Sequence, residues 1–180
     1  MNWFTADLHL GHKNIIKYSN RPFESVEHMD ATILGNLNAL VAPTDTLWIL
    51  GDFCMNKTKT QAYRELINCN GVKLILGNHD ADSYPSRWFD TWPILHDKIA
   101  GQKMTLCHYA LRTWPKMHKG SWHLYGHSHG SLPGQGRSFD VGVDCWEYKP
   151  ISFDQIAAKM ATLSFTPVDH QGADLDVLSS

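Results

Sequence analysis

Val72-Lys73-Leu74-Ile75-Leu76-Gly77-Asn78-His79-Asp80 is the stretch on which the fold turns. A short, mostly apolar run stops at a glycine, and three side chains that carry chemistry follow at once, which reads as a buried strand running into a polar loop. The same construction stands twice upstream. Thr46–Leu50 runs into Gly51-Asp52, and Trp3–Ala6 runs into Asp7-Leu8-His9. Between those two runs, Val26, Met29, Ile33, Leu37 and Leu40 recur every three or four positions from Ser25 to Val41. With Ser25 placed as N-cap, Glu27 in the first turn and Pro43 beyond the end, this predicts an amphipathic helix. Residues 58–68 predict a second helix with Ala62, Tyr63, Leu66 and Ile67 inward. Strand, helix, strand, helix, strand is the signature of a layered βαβ-type α/β domain.

Beyond Asp80 the texture changes. Ile94–Ile99, Lys103–Cys107, Trp122–Tyr125 and Phe139–Val143 are short strand-like runs separated by turn residues. A helix is expected at Phe153–Met160 and a strand at Thr162–Thr166. Asp169–Ser180 is small and acidic, a tail expected to fray. The two textures point to one domain over residues 1–168, with two sheets face to face and helices outside.

Composition agrees. The chain has 180 residues, 43% of them hydrophobic and 11% aromatic, enough for one full core. A formal net charge of −2 argues against a protein held to nucleic acid by charge alone. The cysteines at 54, 69, 107 and 145 form no CxxC pair, so buried free thiols are expected instead of a zinc ribbon or a redox pair. Met1–Lys13 carries an acid and histidines where a signal peptide needs an apolar run, and no stretch reaches the roughly 18 apolar residues of a membrane span. A soluble, cytoplasmic protein with no membrane partner is therefore expected.

The 11 histidines are the feature that needs a reason. Five strand-like runs stop at residues able to bind metal: Asp7/His9, Asp52, Asn78-His79-Asp80, His108 and His127/His129. Carboxyl ends of strands in α/β sheets are where ligands bind, so all five can share one rim. If strand geometry persists, Asp7 and His9, and likewise His127 and His129, point to one face. Imidazole with carboxylate and amide oxygen suits Mn, Fe, Zn, Co or Ni, whereas calcium wants more oxygens. Asp7, His9, Asp52, Asn78, His108, His127 and His129 are too many donors for one tetrahedral ion and suit two ions that share a carboxylate. Such pairs, about 3.5–4 Å apart, serve in-line displacement at phosphorus. A lone DxH is more often a surface turn, and GHSHG alone can be an adventitious surface chelator. Their occurrence together, each after an apolar run, makes the bland reading improbable.

The series Asp7-x-His9, Gly51-Asp52, Gly77-Asn78-His79-Asp80, His108, Gly126-His127-x-His129 resembles the signature of the calcineurin-like metallophosphoesterases, over about two-thirds of the chain. Thr5-Ala6-Asp7-Leu8-His9-Leu10-Gly11-His12 and Asn20-Arg21-Pro22-Phe23 further resemble small bacterial and phage phosphoesterases. The resemblance implies a four-layer αββα sandwich of two central mixed sheets flanked by helices. It implies one metal on Asp7, His9, Asp52 and His129, and a second on Asp52, Asn78, His108 and His127, with a metal-bridging hydroxide as nucleophile. His79 would contact the phosphate and protonate the leaving oxygen, and Asp80 would hold the other nitrogen of His79.

The Ser/Thr protein phosphatases of that family follow GD with Asp-Arg, whereas this chain has Phe53-Cys54, so a phosphoprotein substrate is disfavoured. Arg21 can replace the missing arginine from another loop, or can be a turn residue before Pro22. His12 can reach the phosphate or cap the following helix. His118 and His123 are candidates to line the groove, while His28, His96 and His170 are expected on the surface. Arg112, Lys116 and Lys119 with Trp114 and Trp122 can hold a nucleotide, or form a loop packed by its tryptophans. The expected activity is hydrolysis of phosphodiesters on a small, phosphorylated or nucleotide-like substrate. A small-molecule monoesterase or a nuclease is the alternative, and a non-catalytic metal-binding module has no use for His79.

Overall fold

The computed structural model describes residues 1–164. In chain order its elements are β1 (Asn2–Thr5), α1 (Ile15–Tyr18), α2 (Val26–Leu40), β2 (Thr46–Leu50), α3 (Thr60–Glu65), β3 (Gly71–Ile75), β4 (Asp90–Trp92), β5 (Ile94–Ile99), β6 (Gln102–Cys107), β7 (Trp122–Tyr125), β8 (Ser138–Asp140), β9 (Ile151–Ser152) and α4 (Phe153–Thr162). A five-stranded sheet has the order β4-β3-β2-β1-β9 and a four-stranded sheet the order β5-β6-β7-β8. Both are mixed: β9 is antiparallel to β1 and β5 to β6, and the remaining pairs are parallel.

Side-chain alternation explains why the sheets stack. Leu47, Ile49 and Leu74 turn to one face of the larger sheet, where Met29, Ile33 and Leu37 of α2 cover them. Trp48, Leu50 and Ile75 turn to the other face and meet Met104, Leu106 and Leu124 of the smaller sheet. Each fully buried side chain of this kind contributes about 1.5–3 kcal/mol of transfer free energy. Ser25 caps α2 by accepting from the His28 backbone N–H, as the sequence predicts. Ser152 and Gln155 form a capping box on α4, which sends Ile156 and Met160 into the inter-sheet core. The outer face of the smaller sheet carries His123 and Tyr125. Residues 109–121 cover it, with a single helical turn at Met117–Lys119 and the Trp114 ring 5.3 Å from that of His123. The result is an α/β sandwich of two central mixed sheets with helices outside.

Several local expectations differ. α3 is shorter than residues 58–68, and Ala62 and Leu66 are exposed, leaving Tyr63 and Ile67 to turn inward. The reason is Arg64, whose guanidinium donates to the carbonyls of Ile67, Cys69, Asn70 and Trp88 and so draws the chain away toward β3. The run expected at Phe139–Val143 ends at Asp140. There the Asp140 carboxylate takes the Gly142 N–H at 2.7 Å, and the Val143 N–H donates to the Ala6 carbonyl across the sheets. α1, β4 and β9 leave no pattern in the sequence, since each is four residues or fewer, too short to show a period. Thr162 closes α4 instead of opening a strand, and residues 165–166, His170 and the Asp169–Ser180 tail lie outside the described residues. Cys54, Cys69 and Cys107 are buried and free, and Cys145 is exposed. No helix among the described residues is long and apolar enough to cross a membrane.

Candidate metal centre

Parallel pairing brings the carboxyl ends of β1, β2 and β3 to one edge, and those of β6 and β7 meet them from the second sheet. Hydrogen bonds stitch the rim together. Asp7 N–H donates to Gly51 O at 3.0 Å, His9 N–H to Asp52 O at 2.9 Å and Gly126 N–H to His108 O at 3.0 Å. His127 N–H donates to Asp7 Oδ2 at 2.8 Å, and His79 N–H to Asp52 Oδ1 at 3.0 Å. A Cβ at Gly126 would stand 2.7 Å from Asp7 Oδ2 and 2.5 Å from the Ala6 Cβ, so only glycine lets the two sheets close beneath the site.

Strand geometry does not persist through the paired ligands. Asp7 (φ 56°), His9 (49°), Asp52 (55°), His127 (68°) and His129 (47°) all occupy the left-handed region. That region costs an L-residue roughly 1–2 kcal/mol. Five such residues on one rim is the kind of strain that collects at functional sites. The turns still gather the side chains: ligand atoms of Asp7, His9 and His129 lie within 4.8 Å of one another, as do those of Asp7, Asp52 and His108, and of His9, Asp52 and His79. His127 joins none of these sets. Its ring stands 5.1 Å from that of His108, so the His127/His129 pair straddles the site.

The protonation pattern shows what the site is built to receive. His108 Nδ1 donates to the Leu50 carbonyl at 2.8 Å, so the Nε2 lone pair of the neutral ring faces inward. That atom lies 3.1 Å from Asn78 Oδ1 and 3.5 Å from Asp52 Oδ2. Burial holds the His108 ring below the usual histidine range, against the pull of Asp52, so a charged ring is not the remedy. His9 Nε2 lies 3.4 Å from the same Asp52 Oδ2, and burial with the neighbouring His129 and Arg21 pushes His9 down to about 2. Asp7 Oδ1 and His9 Nε2 are buried with no hydrogen-bond partner. Burial first, then Asp140 and Asp52, raise the Asp7 carboxyl well above the usual range. Buried polar atoms that converge without partners cost free energy, and a divalent cation among them would supply the missing interaction. The residues fit a metal.

An open cleft of about 900 Å³ adjoins them, lined by residues that include His9, His12, Asp52, Asn78, His79, His127 and His129. The His12 ring enters it, with Nδ1 3.3 Å from His9 Nδ1, and is held below the usual range by burial and by His79.

Two expected roles are corrected. Asp80 does not hold His79: its carboxylate accepts from the backbone N–H groups of Asp52, Phe53 and Gly77 at 2.8–3.1 Å, which ties two strand-end loops together. Arg21 does not grip substrate, because its side chain is fully buried. Its Nε and Nη2 fork onto Asp144, both at 2.8 Å, while Nη2 also donates to Asp7 O and Nη1 to Leu8 O. Arg21→Ala should therefore lower the stability of the metal-free protein by about 3–5 kcal/mol, because it leaves a buried carboxylate uncompensated. Urea unfolding measures this, and an unchanged midpoint would contradict the pairing.

Other candidates also lie elsewhere. His123 is buried, accepts from Leu111 N–H at 3.0 Å and packs the smaller sheet instead of lining the groove. His118, Arg112, Lys116 and Lys119 are not among the cleft residues, and Trp114 and Trp122 pack inside. Sequence reasoning missed Asp140, which accepts from Ser128 Oγ and the Gly130 N–H and so shapes the loop on both sides of His129. Its position at the end of a strand-like run was the available signal. It also missed Asp144, which has no local signal, and Tyr109, whose ring meets that of His127 edge-on at 4.7 Å.

Fold and site together define a two-sheet α/β protein with a histidine–carboxylate candidate metal centre on the shared strand-end rim. No protein-family model matches the chain. An uncharacterized protein of Methanocaldococcus jannaschii is 33% identical over 163 residues, 86% of this chain and 88% of that protein, and this chain belongs to its family. The Gene 66 protein of Mycobacterium phage L5 is 44% identical over 81 residues, 43% of this chain and 39% of that protein. Among solved structures, a protein of unknown function from Aquifex aeolicus matches with a TM-score of 0.72 and 25% identity, over 88% of this chain and 98% of that one. A Streptococcus pneumoniae protein described as a predicted phosphoesterase reaches a TM-score of 0.43 and 16% identity over 78% of this chain, an overlap too slight to carry an argument.

Proposed function

We propose that this protein hydrolyses phosphoric esters with two divalent transition ions, one on Asp7, His9, Asp52 and His129 and the other on Asp52, Asn78, His108 and His127. The observation that carries the reading is the convergence on Asp52 Oδ2 of His9 Nε2 on one side and the Nε2 lone pair of His108 on the other, at 3.4 and 3.5 Å. Ions held there would polarise phosphoryl oxygens and lower the pKa of an attacking water. The chain's own residues do the rest. The His79 ring, 5.3 Å from that of His9, reaches into the cleft where it can hand a proton to a leaving oxygen. The second acceptor oxygen of Asp52 is tied to the His79 backbone, which keeps acid and carboxylate in register.

Phosphodiesters are the favoured class. Among the described residues, those that line the cleft include no lysine or arginine, and Arg21, the candidate from a nearby loop, is occupied by Asp144. The extra charge of a monoester dianion would then rest on the metals and His79. Metal-loaded protein assayed side by side on bis-p-nitrophenyl phosphate, p-nitrophenyl phosphate and 2′,3′-cyclic nucleotides should give higher kcat/KM on the activated diester than on the monoester. Faster monoester turnover would overturn the diester preference, and hydrolysis of none of the three would overturn the enzyme reading.

A further inference from the structure

We infer that Asp144 is a positioning residue that sets the tautomer of His129, and that Arg21 holds Asp144 in place to do so; the inference rests on the metal-centre reading above. His129 Nδ1 lies 2.7 Å from Asp144 Oδ2. An ionised carboxylate only accepts, so Nδ1 carries the ring proton and the Nε2 lone pair is left for the site. His129 lies against His9, ring centroids 5.3 Å apart, with its ligand atom in the group formed with Asp7 and His9. Both Asp144 oxygens accept from the buried Arg21 fork, which pairs the carboxylate with a permanent cation.

Arg21 does more than neutralise. Its fork takes both Asp144 oxygens, and the same guanidinium donates to the carbonyls of Asp7 and Leu8, within the left-handed turn that presents Asp7 and His9. One buried cation thus spans 123 residues of sequence and sets the His129 loop and the Asp7–His9 turn in a single frame. Partners of this kind behind metal-binding histidines typically change affinity by about 10–100-fold when removed.

Asp144→Asn separates positioning from support. The Arg21 fork has only donors, so it claims the amide oxygen and leaves Nδ2–H₂ facing His129 Nδ1. The ring must then accept at Nδ1 and carry its proton on Nε2, pointing into the site. Nitrogen-15 NMR of histidine side chains in the metal-free proteins should show His129 protonated on Nδ1 in the wild type and on Nε2 in Asp144→Asn. Calorimetric titration with Mn²⁺ should show affinity lower by about 10–100-fold in the variant. The double variant Arg21→Met/Asp144→Leu replaces the buried pair by apolar groups of similar size, which keeps a fold that loss of one partner can break; it should also bind Mn²⁺ more weakly. An Nε2-protonated His129 in the wild type, or either variant folded and binding Mn²⁺ as tightly as wild type, would overturn the inference. Wild-type protein that binds neither Mn²⁺ nor Zn²⁺ would instead remove the metal-centre reading itself, whatever the tautomer.

Discussion

Asp52→Asn protein, loaded with Mn²⁺ or Zn²⁺ and desalted, should retain neither ion at wild-type stoichiometry and should lose hydrolytic activity along with them. Asp52 Oδ2 is the atom that lies within 3.5 Å of both His9 Nε2 and His108 Nε2, so a neutral amide there withdraws the charge shared by both halves of the centre. Removal of a partner behind a ligand already costs about 10–100-fold in affinity, and loss of a shared ligand should exceed about 100-fold. The fold should survive. Asparagine keeps an oxygen to accept from the His79 N–H, the bond that Asp52 Oδ1 makes now. Elemental analysis and calorimetric titration measure the outcome, and two ions retained at wild-type affinity would refute the shared-ligand assignment.

The same centre sets a pH dependence. Burial, Asp140 and Asp52 raise the Asp7 carboxyl, so in metal-free protein Asp7 takes up a proton at higher pH than an ordinary carboxylate does. Metal must displace that proton. Affinity should therefore fall as pH is lowered through the raised Asp7 range, before ordinary carboxylates titrate, and metal binding in that range should release a proton to buffer. Affinity that stays flat until the ordinary carboxylate range would mean Asp7 is not a ligand.

His79→Ala is expected to keep its metals and lose roughly 10²–10⁴-fold in rate on esters with poor leaving groups, the range for a positioned general acid. The loss should shrink toward nothing for p-nitrophenyl esters, whose leaving group departs without a proton. Substrate comparison on one variant makes the test internal, because a collapsed site would slow every ester alike. The structure also groups His79 with His9 and Asp52 within 4.8 Å, so it has a second reading as a ligand. Metal loss in His79→Ala, with equal slowing of good and poor leaving groups, would move His79 to that role.

Much of the molecule was legible along the chain. β2, β5 and β7 fall on the expected residues, and β1, β3 and β6 within one or two, because a short apolar run that halts at a turn signal is a local pattern. The elements that escaped have a non-local cause: β4 is three residues paired to β3, and α3 stops where Arg64 captures carbonyls from two neighbouring segments.

What the sequence by itself determined is the inventory and its order: strands that end in Asp7, Asp52, Asn78, His108 and His127, and the donor types they offer. Parallel pairing then brings those ends to one rim. Only the tertiary structure decided how each donor is spent. It turned Arg21 inward onto Asp144 and gave Asp80 to three backbone N–H groups instead of His79. It placed His123 in the packing beneath Trp114 and pointed the free nitrogen of His108 toward Asp52. The physical reason is saturation. A buried polar group must find a partner, and which one it finds depends on groups that only the folded chain brings within 3 Å.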